Sequence, residues 1–237
     1  KVWTLPEGGP QARGRPLINM LPLAQGETSS TILPLPENEE EWGDLNVVFA
    51  TAKGNVRRNS MADFTNVPSN GKIAIRFEEG SEDRLIGVTL CGESDDIFLA
   101  SHGGKSIRFK VSDLRVFKGR KSTGVRGMKL GSGDEVMSLA VLLGQSSANM
   151  TREDRDNYLK AAPWKSEPGE PSLDAERMSE LERLEQFILT VTENGYGKRT
   201  SSFEYSTIGR GGQGVVNIDT SERNGQVLSL IHISEPT

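Results

Sequence analysis

Residues 97–108 read Ile97-Phe98-Leu99-Ala100-Ser101-His102-Gly103-Gly104-Lys105-Ser106-Ile107-Arg108, with Asp113-Leu114 shortly after. An apolar run of strand length, a glycine free to take positive φ, and a second mixed run predict a β-hairpin. The pattern occurs twice more. Val48-Phe49-Ala50-Thr51-Ala52-Lys53-Gly54-Asn55-Val56-Arg57-Arg58 precedes Asp63-Phe64, and Phe187-Ile188-Leu189-Thr190-Val191-Thr192-Glu193-Asn194-Gly195-Tyr196-Gly197-Lys198-Arg199 precedes Glu204-Tyr205. Each turn glycine stands four residues before an arginine (Arg58, Arg108, Arg199) and nine before an acid (Asp63, Asp113, Glu204). A constant phase over three copies marks a repeat architecture.

Outward from each hairpin, a second glycine opens another strand-like run: Gly71-Lys-Ile-Ala-Ile-Arg, Gly124-Val-Arg-Gly-Met-Lys and Gly214-Val-Val-Asn-Ile-Asp. Turns at Gly26-Glu27, Glu79-Gly80, Gly133-Asp134 and Asn224-Gly225 then lead to a fourth strand, such as Leu85–Leu90 or Val136–Val141. Four short strands per unit of about 50 residues predict an all-β, propeller-like fold with one blade per unit. Gly14–Leu21 reads as the tail of a preceding unit. The second and third units are separated by a polar segment, 145–186, with three prolines (Pro163, Pro168, Pro171) and two helical patterns, Thr151–Ala162 and Leu173–Gln186. Thr151 and Asp154 have capping-box spacing, and Met178, Leu181, Leu184 and Ile188 form a helical apolar stripe. The expected organisation is blades over 1–144, a helical surface insertion over 145–186, a further blade over 187–228, and a tail, 229–237. That tail resembles translated sequencing-adapter read-through and is expected to lie outside the fold; the chain is read as a fragment.

The 237 residues carry 28 Lys+Arg against 33 Asp+Glu, a net charge of −5 that argues at first against nucleic acid. Its distribution reverses that argument. Residues 101–130 hold nine bases and one acid, and 51–77 hold five bases and one acid, whereas 78–96 and 145–186 are acidic. Closing such repeats around an axis would line the basic hairpins along one rim, a track for a bent polyanion, and send the acidic turns elsewhere. The candidate DNA-binding residues are Lys53, Arg57, Arg58, Lys105, Arg108, Lys110, Arg115, Lys118, Arg120, Lys121, Arg126, Lys198, Arg199 and Arg210.

Other chemistry finds little support. One cysteine, Cys91, and two histidines, His102 and His232, argue against a disulfide or a structural zinc site, and fit a reducing cytosol. No apolar run reaches membrane-spanning length. Gly209-Arg210-Gly211-Gly212-Gln213-Gly214 matches a dinucleotide-binding glycine pattern, but a strand-like Val215-Val-Asn-Ile follows where a helix is required. Asp95-Asp96 and Glu82-Asp83 read as solvated turn acids rather than a catalytic pair. No catalytic site and no metal site are expected.

Gly14–Leu23, Gly71–Ile75, Thr123–Gly127 and Glu193–Thr200, in that order, resemble the C-terminal domain of bacterial DNA gyrase A. The resemblance implies a six-bladed β-pinwheel whose neighbouring blades exchange strands, incomplete here. It implies a basic perimeter that wraps double-stranded DNA to support ATP-dependent negative supercoiling by a cytoplasmic, nucleoid-associated type IIA topoisomerase. Gyrase B would be the partner in an A2B2 heterotetramer, joined through upstream domains. ATP and magnesium would bind outside this chain, and none of Tyr158, Tyr196 or Tyr205 would inherit the catalytic tyrosine's role. The family's glutamine-arginine-arginine-glycine-glycine-lysine-glycine box is absent from the sequence. The alternatives are the matching C-terminal domain of topoisomerase IV, or a propeller scaffold that binds proteins through its acidic turns or its insertion.

Overall fold

The computed structural model describes residues 6–21, 23, 27, 29–68, 71–144 and 149–233. Lys1–Leu5, Gly26 of the first expected turn and Gln145 at the start of the insertion lie outside the described residues. In chain order the strands are β1 (Asn46–Thr51), β2 (Asn55–Ser60), β3 (Leu85–Cys91), β4 (Asp96–Ser101), β5 (Lys105–Lys110), β6 (Val125–Arg126), β7 (Val136–Leu142), β8 (Phe187–Thr192), β9 (Gly197–Ser201), β10 (Val215–Val216) and β11 (Val227–Ile233). Helices α1 (Arg152–Ala161) and α2 (Ala175–Leu184) fall between β7 and β8. The strands make three antiparallel sheets, ordered β3-β1-β2-β6, β10-β5-β4-β7 and β11-β8-β9.

Each predicted hairpin forms at its predicted glycine, closed by the same turn bond: Gly54 N to Thr51 O (2.9 Å), Gly104 N to Ser101 O (3.1 Å) and Gly195 N to Thr192 O (3.0 Å). The expected fourth strand returns beside the first of its own unit, β3 on β1, β7 on β4 and β11 on β8. The third segment does not stay in its unit. β6 crosses to β2 of the preceding unit, and β10 crosses to β5. Backbone geometry fixes this crossing. Gly127 N and Met128 N both donate to Gly54 O, and Asn217 N and Ile218 N both donate to Gly104 O. A Cβ at Gly124 would stand 2.1 Å from Val56 O, and one at Gly214 would stand 2.1 Å from Ser106 O, so only glycine, at φ 101° and 72°, permits the approach. The equivalent runs from Gly71 and from Gly14 form no strand among the described residues.

Burial follows from stacking. Ile97 and Leu99 on β4 face the first sheet with Val48, Ala50, Val56 and Ile107, while Phe98 and Ala100 face the third with Leu142, Ile188, Tyr205 and Leu230. That two-sided burial explains why the run quoted first is apolar without alternation. The outer face of the first sheet, Val47 and Phe49, is covered by Leu33, Trp42 and Leu45. The insertion folds as a helical hairpin against Phe203, which meets Tyr158, Ala162 and Leu181. Thr151 and Asp154 form the expected capping box. Ile188 leaves the predicted stripe: α2 ends at Leu184, and Ile188 lies on β8. β11 continues to Ile233, paired with Phe187, so the third sheet includes residues assigned from sequence to the tail.

Candidate nucleic-acid interface

The arginines that mark the repeat are not on the surface in the first two units. Arg58 and Arg108 are 2% and 4% exposed. Arg108 Nε donates to Asp96 Oδ2 at 2.8 Å, and its Nη1 donates to the carbonyls of Ser202 (2.7 Å) and Tyr205 (3.2 Å) in the next unit. Arg58 repeats the gesture one unit earlier, donating to the carbonyls of Val111 and Leu114 (both 3.2 Å) and to Glu93. These guanidiniums are struts between units. The phase that singled them out as rim contacts records a repeated joint. Burial lowers the Arg108 pKa, and Asp96 opposes that shift. Arg199, third in the series, is exposed, with its guanidinium 4.5 Å over the Phe187 ring.

Arg57 is fully buried as well. It donates to Asn59 Oδ1 (2.8 Å) and to the carbonyls of Arg120 (2.9 Å), Ser122 and Ala74. Burial, aided by the neighbouring charge of Arg120, lowers its pKa to about 10. Asn59 Nδ2 donates to the carbonyls of Phe117 (2.7 Å) and Gly119 (3.3 Å). Arg57 and Asn59 thus hold the backbone of loop 117–122 from below through four of its carbonyls. The candidate reading of Arg57, Arg58 and Arg108 as DNA contacts is therefore corrected: a buried donor already bonded to carbonyl or carboxylate oxygen cannot reach a phosphate.

Four cations gather above that base, Lys72 and Arg120 half-buried, with Lys72 Nζ donating to Thr65 O at 2.8 Å. A cavity of about 640 Å³ is lined by Pro68, Gly71, Lys72, Ile73, Lys118, Gly119, Arg120 and Lys121, four cations and no acid. Arg120 Nη1 donates to Ile73 O at 3.0 Å, tying the loop to the Gly71 segment. Lys118 and Lys121 are exposed. Lys72, which lines this cavity, was not among the candidates; its place directly after the second glycine of its unit was the available signal. Arg115 lies beside this loop, 4.3 Å over the Phe117 ring. Arg210 donates to the carbonyls of Asp113 (3.3 Å) and Arg126 (3.1 Å), which lays the glycine-rich loop 209–214 against the second unit. Strand β10 follows that loop, so it is no dinucleotide site.

The hairpin tips differ from the expected uniform rim. Lys53 pairs with Glu82 at 3.5 Å and its N–H donates to Asp83, while Gly103 N donates to Asp134. Acidic turns therefore sit beside the basic tips instead of being sent elsewhere. Lys105, Lys110, Arg126 and Lys198 remain exposed on the strands; the protein packed beside Lys198 partly desolvates its ammonium and lowers its pKa, against the pull of Glu204. Asp95 and Asp96 are not solvated: both are buried, Asp95 accepting from Gly92 N and Gly144 N (both 2.7 Å). Among the described residues no group of three His, Cys, Asp or Glu side chains is placed to hold a metal ion. None of their helices is long and apolar enough to cross a membrane.

The sequence model of the DNA gyrase C-terminal domain, a β-propeller, matches residues 45–91, 95–142 and 186–234, one match per repeat unit. The DNA gyrase A protein of Rickettsia prowazekii is 46% identical over 245 residues, covering 98% of this chain and 26% of the relative. Its Escherichia coli counterpart is 37% identical over 235 residues, covering 99% of this chain and 22% of its own length. The chain thus spans about a quarter of the curated relatives it matches. A solved DNA gyrase A C-terminal domain superposes with TM-score 0.62 at 20% identity, covering 95% of this chain and 60% of that one. A topoisomerase IV C-terminal domain superposes with TM-score 0.66 at 18% identity, covering 94% and 55%. With three successive repeat units matched by the family's own model, the chain belongs to the DNA gyrase C-terminal domain family.

Proposed function

We propose that this chain binds and bends double-stranded DNA as the wrapping module of a gyrase A protein. The observation that carries the reading is the convergence of Lys72, Lys118, Arg120 and Lys121 on one acid-free cavity at the joint of two units. Cations so placed contact phosphates and position a duplex without reading its bases. Arg57 and Asn59 fix the loop's backbone, so these charges are held at set spacing before DNA arrives, which lowers the ordering cost of binding. Arg115 and Arg210 extend the basic surface along the second unit, and Lys53, Lys105, Lys110, Arg126, Lys198 and Arg199 are secondary contacts. The struts Arg58 and Arg108 set the angle between units and hence the curvature presented to DNA.

In the whole enzyme the module would act beside gyrase B in an A2B2 heterotetramer. That partner would bind ATP and magnesium, and the resulting topoisomerase would supercoil DNA at the nucleoid. This chain would contribute no catalytic group, only the DNA path. The test is topological. Nicked circular DNA sealed by ligase in the presence of the chain should show a linking number displaced from the protein-free control. A distribution identical to the control at saturating protein would refute wrapping.

A further inference from the structure

The two joints between units are built from different chemistry. We propose that the second is a hinge: the third sheet and the helical insertion swing away from the second sheet as a body, while the first two sheets stay together. Both joints lie inside the chain, and neither their chemistry nor the hinge depends on DNA.

The first joint is apolar. Val48, Ala50 and Val56 of the first sheet pack on Ile97, Leu99 and Phe109 of the second, in a cluster of thirteen buried residues among those described. Its strut, Arg58, pairs with Glu93, whose side chain is 68% exposed, so the carboxylate keeps its hydration. Parting two such faces would expose apolar surface to water and forfeit its packing.

The second joint is polar. Its apolar cluster has seven buried residues among those described. Asp96 stands where the first sheet has Asn46, eight residues before the turn glycine, and its ion pair with Arg108 is buried on both sides. Thr207 Oγ1 donates to the same carboxylate at 3.3 Å. Ser138 Oγ donates to Leu230 O at 2.8 Å, and His102 Nδ1 lies 2.9 Å from Val227 O. Asn217 Nδ2 donates to Thr190 Oγ1 at 3.0 Å, and its Oδ1 accepts from Tyr205 Oη. Parting this joint returns water to an ion pair and to groups whose hydrogen bonds water replaces, so much of the cost is recovered. The second joint is therefore the one that opens at lower free energy.

Two contacts keep the open form connected. Gln186 clasps Leu143 through both amide atoms, its Oε1 accepting from Leu143 N at 3.0 Å and its Nε2 donating to Leu143 O at 2.7 Å. The exchanged segment stays on the second unit through Gly211 N to Gly127 O (2.6 Å) and Lys129 N to Gly212 O (2.8 Å). The insertion moves with the third sheet because Phe203 is seated among Tyr158, Ala162 and Leu181. Opening changes the angle between the second and third sheets, and with it the spacing of the cations they carry.

Thiol labelling in a Cys91→Ala background tests the hinge at matched positions. Ala50 and Ala100 stand four residues before Gly54 and Gly104, both fully buried, one in each joint. Under native conditions Ala100→Cys should react with a soluble disulfide reagent about tenfold faster than Ala50→Cys, or more. Its urea dependence should be less than about half that of global unfolding. Ala140→Cys, in the same joint, should behave as Ala100→Cys does. Hydrogen exchange at the β8–β9 backbone amides should stay slow throughout, because the third sheet moves intact. Equal labelling in the two joints overturns the proposal, as does an Ala100→Cys rate with the full urea dependence of unfolding. Fast exchange along β8–β9 also overturns it, since the third sheet would then be melting rather than swinging.

Discussion

Replacing Arg108 by methionine tests whether the repeated arginine is a strut. Arg108 and Asp96 have side chains only 3% and 2% exposed and meet at 2.8 Å, and the same guanidinium satisfies Ser202 O and Tyr205 O. Methionine keeps the volume but removes the charge partner of a buried carboxylate, to which Thr207 Oγ1 still donates at 3.3 Å, and strips two carbonyls of a donor. Breaking a buried pair from one side costs about 3–5 kcal/mol. With a urea slope of roughly 2–3 kcal/mol per molar, the midpoint should fall by about 1.5 M. The assay is urea unfolding in versions carrying one tryptophan. Trp164 reports the third sheet through its Phe187 contact, with ring centroids 6.3 Å apart, and Trp42 reports the first. The Trp164 transition should move to lower urea than the Trp42 transition, because the lost contacts join the second and third units. The double change Arg108→Met with Asp96→Asn removes both charges and should recover more than half of the loss. Arg199→Met, at the same repeat phase but exposed, should change stability by less than about 0.5 kcal/mol. An Arg108→Met midpoint within about 0.3 M of the unaltered chain, or equal losses at 108 and 199, would refute the strut.

Three further outcomes follow from packing and capping. Gly124→Ala forces both a positive φ and a backbone collision with Val56 O and should cost about 3 kcal/mol or more, whereas Gly71→Ala, in open space, should cost only about 1 kcal/mol for its φ; thermal melts of the two variants compare them. Phe203→Ala empties the seat of the helical insertion and should cost about 3–5 kcal/mol, with earlier proteolysis within residues 149–185 as the readout. Asp154→Ala should cost about 1 kcal/mol by opening the α1 capping box. The hydrogen bond from Arg177, followed by those from Thr151, holds the Asp154 carboxyl below its ordinary value. Its contribution is therefore full above the unfolded value near 4 and fades as pH falls through the lower folded one, so melts of the variant and the unaltered chain should converge as the medium is acidified below that range.

The hairpins were legible because their signals are local: an apolar run, a turn glycine, and a fixed phase repeated at 54, 104 and 195. The helical insertion was legible for the same reason, through Thr151 and Asp154. Strand exchange could not be read from the residues, since the period of a run does not say which strand it pairs with; Val125 and Val215 look alike whether they stay home or cross. The fate of the arginines was hidden for a related reason. A constant phase marks a position under constraint, and solvent contact and a buried joint give the same spacing. Lys118 and Lys121 carry exposed charge on the loop instead, beside the half-buried Arg120.

The central claim is that DNA is held by the exposed cations of the 117–122 loop and Lys72, standing on a base of buried arginine. Fluorescence anisotropy of a labelled duplex, titrated with the chain at about 50 to 200 mM salt, tests it directly. Affinity should fall steeply with salt, and Lys118→Glu with Lys121→Glu should lower it at least tenfold and reduce the salt slope by about 2, at unchanged melting temperature. Equal affinity and equal slope for the double variant and the unaltered chain would contradict it.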